Sequence, residues 1–144
     1  MKSVFSSAAI LAFMLAGCVS PEPTDERQSE LDFVEAYLLE FNDHDVESMR
    51  AYWAEDIQWL DVSGSESIVV AASADELADM MTDYFASHAD VNSRPSNVIR
   101  TGNLLAFVET ASWTSEGGPQ SQEALAIYRV IDGQITKFWY LAAE

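Results

Sequence analysis

The sequence predicts one α+β domain, with three helices packed on one face of a curved antiparallel sheet. Three observations carry that prediction. Apolar residues recur at helical spacing near residue 31 and again near residue 77. From about residue 93 onward the chain holds only alternating, strand-like runs. Turn residues separate those runs at short intervals.

Leu31, Val34, Leu38 and Phe41 form the first apolar stripe, which Phe33 and Tyr37 widen. Asn42-Asp43-His44-Asp45 breaks that helix, with His44 expected in solvent. Asp45 is placed to cap a second helix whose buried face is Val46, Met49 and Trp53. Ile57, Trp59 and Asp61 then alternate with Gln58, Leu60 and Val62, which is a strand pattern. Ser63-Gly64-Ser65 supplies a turn, and Ile68 to Ala72 is a second short strand.

Ser73-Ala74-Asp75-Glu76 is a capping box. The helix it opens carries Leu77, Met81, Tyr84 and Phe85 on one side and ends near His88. Strands are expected at about Ser93–Arg100, Leu104–Thr114, Gln122–Ile131 and Ile135–Leu141. Thr101-Gly102-Asn103, Glu116-Gly117-Gly118-Pro119 and Asp132-Gly133 divide them. The last is a strong signal for a two-residue hairpin turn. Pro95 cannot donate a ladder hydrogen bond, so its strand is expected at an edge of the sheet.

The start of the chain reads as a secretion signal over residues 1–17. Lys2 gives the positive start, and Val4 to Ala16 is uncharged but too short for a stable membrane span. The run Leu15-Ala16-Gly17-Cys18 resembles the lipobox of bacterial lipoproteins. That resemblance implies cleavage before Cys18 and lipidation of its thiol, with several acyl chains for stable anchoring. Val19 in place of an aspartate implies the outer membrane, on its periplasmic face, by the same resemblance. Residues 18–28 are expected to be a flexible tether, because PEPTDERQSE has no large apolar group to bury. The folded domain is expected over 29–144.

The net charge is −17 at pH 7, and removing residues 1–17 makes it one unit more negative. Such a chain does not suit nucleic acid or an anionic lipid surface as a partner. Cys18 is the sole cysteine, so an acylated chain has no thiol left for disulfide, metal or redox chemistry. The two histidines do not pair at ligand spacing, and neither metal nor cofactor is expected.

The run from Phe33 to Ser65 resembles the opening of the SnoaL-like, nuclear-transport-factor-2-like superfamily, above all its ketosteroid isomerase branch. The resemblance covers about residues 31–141. It implies a cone-shaped sheet closed by the helices, around a cavity for a small molecule. It also implies that a helix tyrosine, here Tyr37, and a strand aspartate, here Asp61, meet in one apolar pocket. In that branch the aspartate is a general base and the tyrosine an oxyanion donor. A second acid of the branch matches Ala126 here, so that half of the oxyanion hole is missing; Tyr128, Tyr140 or Glu109 are the candidates to replace it.

The residues themselves point to the same place. Alternation puts Asp61 on the face of Trp59, so an inward Trp59 carries a carboxylate inward and raises its pKa. Tyr37 lies among apolar helix positions, where a phenol turns its hydroxyl to a partner. The competing readings are a core tyrosine and an aspartate that caps the Val62–Ser65 turn. Glu109 shares a face with Leu105, Phe107, Ala111 and Trp113. Trp59, Phe41, Glu109, Trp113, Tyr128, Phe138 and Tyr140 are the candidate pocket wall.

Three functions follow as expectations. The first is a membrane-anchored module binding a small apolar or carbonyl-bearing molecule. The second is an isomerase, dehydratase or cyclase with Asp61 as base. The third is a homodimeric interaction module without a ligand.

Overall fold

The computed structural model describes residues 23–142. The expected signal segment and Cys18 lie outside the described residues. The elements are α1 (Pro23–Asn42), α2 (Val46–Arg50), β1 (Trp53–Ser63), β2 (Glu66–Ala71), α3 (Ala74–Ser87), β3 (Asn92–Thr101), β4 (Leu104–Ser115), β5 (Gly118–Ile131) and β6 (Gln134–Ala142). The strands form one six-stranded sheet in the order β2-β1-β6-β5-β4-β3. The three helices and the curved, open sheet are those the sequence predicts.

The local signals act as read. Asp45 accepts from the Ser48 backbone N–H and caps α2. Ser73 accepts from the Glu76 N–H, and Glu76 reaches back to the N–H of Ala72. Asp132 and Gly133 both have positive φ, 51° and 79°, as a two-residue turn with the twist of its strands requires. Ile131 pairs with Gln134 across that turn. Pro95 lies on β3, an edge strand.

Several placements differ from expectation. β1 runs parallel to β6, so the sheet is mixed rather than wholly antiparallel. The two strands are far apart in sequence, and no short hairpin dictates their direction. Trp53 opens β1 instead of closing α2, which stops at Arg50. It is buried all the same, because the first strand position faces the core that the helix stripe faces. α1 starts at Pro23, inside the segment read as tether. Its polar first turns extend a helix already anchored by its apolar second half, and Gln28 bonds Asp32 one turn on. His44 is not free in solvent: its ring stacks on Phe85 at 4.3 Å and its Nε2 meets the Val91 carbonyl at 3.1 Å.

The core lies between the helices and the inner face of the sheet. Val34, Leu38, Leu77 and Phe85 meet Trp53, Ile57, Leu105, Phe107 and Tyr128 there, all buried. Burying one such side chain as Leu38 stabilises the fold by about 1.5–3 kcal/mol. The core does not fill the whole space, and the part left open is the site.

Candidate functional site

A cavity of about 270 Å³ lies between α1, α3 and the inner face of the sheet. α1 gives it Tyr37 and Phe41, and α3 gives Leu77, Met81 and Tyr84. The sheet adds Trp59, Asp61, Glu109, Phe138 and Tyr140. The open volume has a cause in the sequence. Ala111 and Ala124 stand on the wall where larger side chains would fill it.

Glu109 is the buried acid of this cavity, with 7 % of its surface exposed. Two other strands hold its carboxyl group. Ser93 of β3 donates to Oε1 through its hydroxyl. Tyr140 of β6 donates to Oε2 at 2.8 Å. Tyr140 has one hydrogen and gives it to Glu109, so the 2.9 Å contact between Tyr128 and Tyr140 is a donation from Tyr128. Burial pushes the Glu109 pKa above the usual carboxylate range, and the bonds from Ser93 and Tyr140 oppose that shift.

β6 and β4 are not neighbours; β5 lies between them. Two strand spacings amount to roughly 9–10 Å. Tyr140 spans that gap because its partner on β5 is Ala126, whose own partner on β4 is Phe107. A small residue there leaves a passage for the phenol. Ser93 reaches Glu109 diagonally, since its direct partner is Ala111 and that of Glu109 is Pro95. Asn42 at the end of α1 fixes Ser93 in turn: Asn42 Nδ2 donates to the Ser93 carbonyl at 3.0 Å, and the Ser93 N–H donates to Asn42 Oδ1 at 2.7 Å.

Tyr37 is buried and lines the cavity. Its hydroxyl accepts from Trp53 Nε1 at 3.2 Å. An accepting phenol keeps its own hydrogen, so Tyr37 has a donor to spare. Burial raises its pKa and the Trp53 bond opposes the rise. The phenols of Tyr128 and Tyr140 are also held well above their usual value, first by burial and then by the nearby Glu109. Trp59 Nε1 is buried and has no partner among the described residues.

The expected buried base does not hold. Asp61 touches the cavity but is exposed. Alternation assigned its face correctly and not its depth: it stands two residues from the end of β1, where the wall gives way to solvent. Its direct neighbour on β6 is Tyr140, whose hydroxyl points to Glu109 and not to it. Two expected wall residues also lie elsewhere. Tyr128 is wholly buried behind the wall, where its ring packs on Tyr37 and Phe138 and its hydroxyl bonds Tyr140. Trp113 packs edge-on against His88 at 5.8 Å, beyond the cavity. Phe41, Trp59, Glu109, Phe138 and Tyr140 line it.

Ser93 and Asn42 were not singled out by the sequence, and no local signal marks them, since the two lie 51 residues apart. Leu77, Met81 and Tyr84 were visible as the stripe of α3. Among the described residues no cluster of histidine, cysteine and acid is arranged to hold a metal ion.

The comparisons with known proteins agree with this architecture. A family model described as a SnoaL-like domain matches residues 34–138. No curated protein matches the chain significantly. Among solved structures, an NTF2-like protein of unknown function from Exiguobacterium sp. 255-15 is 14 % identical, with a TM-score of 0.64 over 78 % of this chain and 98 % of its own. A cystatin-fold protein from Novosphingobium aromaticivorans is 16 % identical, with a TM-score of 0.67 over 78 % and 97 %. IdmH from Streptomyces antibioticus, a proposed polyketide cyclase, is 21 % identical, with a TM-score of 0.64 over 77 % and 89 %. At these identities the likeness is one of fold.

Proposed function

We propose that this chain, which belongs to the SnoaL-like domain family, binds a small and largely apolar molecule in its cavity while Cys18 anchors it to the cell envelope. One observation carries the reading: an open volume of about 270 Å³ with aromatic walls and a small set of inward polar groups. The Tyr37 hydroxyl hydrogen is free to meet an oxygen of the ligand, such as a carbonyl. The anchor rests on the Leu15-Ala16-Gly17-Cys18 run alone.

The reading is tested by thermal melting and tryptophan fluorescence with a panel of small neutral and charged aromatic probes. Binding raises the melting temperature, and Trp59→Ala removes the rise. A panel in which no member shifts either signal overturns it.

Proton-transfer catalysis is the second reading, and one observation favours it. Glu109 combines burial, a raised pKa and a place on the cavity wall, the properties a general base needs. Asp61 has neither the burial nor the bonds. On this reading Glu109→Gln lowers turnover of a carbonyl probe by about a hundredfold. An unchanged rate in that variant contradicts it.

A further inference from the structure

The charge of the cavity is one-sided. Two carboxyl groups reach it, Glu109 in the wall and Asp61 at the open end. Among the described residues that line it there is no lysine, arginine or histidine. Six rings surround the same space: Tyr37, Phe41, Trp59, Tyr84, Phe138 and Tyr140. Glu109 accepts hydrogen bonds at both oxygens, which suits the ionised form, since an ionised carboxyl group only accepts. Yet among the described residues no cation pairs with it. Buried charges in proteins are paired as a rule, and here the fold supplies only dipoles.

We infer that the missing partner is the ligand, and that the cavity takes an organic cation: an apolar body carrying an amine or quaternary ammonium head. Aromatic faces attract such a head through their quadrupoles, and a desolvated site strengthens the attraction. The carboxylate of Glu109 completes the pairing. The chain's net charge of −17 adds a long-range field that draws cations and repels anions. This inference rests on the binding reading above and deepens it by naming the charge of the ligand.

The titratable groups around Glu109 are Tyr37 of α1, Tyr84 of α3, Asp61 of β1, Tyr128 of β5 and Tyr140 of β6. Each is a phenol or a carboxyl group, so none offers the Glu109 carboxylate a positive charge in place of the ligand's.

The experiment compares phenyltrimethylammonium with its neutral isostere, tert-butylbenzene, by fluorescence titration of the full chain and of its Glu109→Gln variant. The two probes share shape and differ in charge. The expected result is that the cation binds the wild type at least about tenfold more tightly than the isostere. Glu109→Gln reduces that preference to less than about threefold, while the isostere's affinity in the variant stays within about threefold of wild type. Retained isostere binding shows that the variant is folded and its cavity open. Equal binding of both probes, or tighter binding of the isostere, overturns the cation inference and leaves the binding reading intact. A cation preference that survives Glu109→Gln also overturns it. Failure of both probes in the wild type counts against the binding reading itself, and the inference falls with it.

Discussion

Tyr140 and Glu109 are bonded at 2.8 Å although a whole strand separates the two that carry them. The bond passes over Ala126 of β5, whose small side chain leaves room for the phenol. A phenol from the next strand occupies the space, and its hydrogen is committed to a buried carboxyl group instead of to the open cavity.

Ala126 should therefore tolerate little growth. Ala126→Leu fills the passage that Tyr140 uses and crowds Phe107, its partner on β4. The expected cost is about 1–3 kcal/mol of stability by urea denaturation, with loss of ligand-induced stabilisation.

Tyr37→Phe removes the acceptor of Trp53 Nε1 inside the core. An orphaned buried donor costs about 1–3 kcal/mol, which denaturant unfolding measures directly. The ring packing survives, so the variant is expected to fold while binding an oxygen-bearing probe more weakly.

Asn42→Ala releases Ser93 from two bonds at once. A loss of about 1–3 kcal/mol is expected. Because Ser93 sets the position of the Glu109 carboxyl group, any property that depends on Glu109 should weaken in parallel, though Asn42 never touches the cavity.

The pH dependence of stability has a definite sign. The folded pKa of Glu109 is raised above the unfolded value, chiefly by burial. Its contribution is fully present below the unfolded carboxyl pKa and is lost as pH rises through the folded one. The melting temperature of the ligand-free wild type should fall over that window. The fall should be shallower in Glu109→Gln, and the difference between the two curves isolates this residue from the repulsion of the many surface acids.

Most of the fold could be read from the sequence because its signals are local. Asp45, the Ser73–Glu76 box and Asp132-Gly133 each act within a few residues of themselves, and each does what its chemistry predicts. The face of Glu109 is legible for the same reason, since it follows Leu105 and Phe107 at a spacing of two on one side of β4. What alternation lacks is depth along a strand, and Asp61 shows the consequence: the right face, but at the open end. The parallel pairing of β1 with β6 and the Asn42–Ser93–Glu109 series join distant segments. No periodicity within either segment encodes such a meeting. The start of α1 at Pro23 carries no apolar signal, because a polar turn that extends an anchored helix needs no burial of its own.

The most direct measurement follows the carboxyl carbon of Glu109 by carbon-13 NMR as pH is varied, with and without phenyltrimethylammonium. One glutamate resonance, absent from Glu109→Gln, should titrate above the ordinary carboxylate range and move to lower pH when the cation binds. Glutamates that all titrate together in the ordinary range, with none responding to the ligand, would contradict a buried acid facing a ligand cavity.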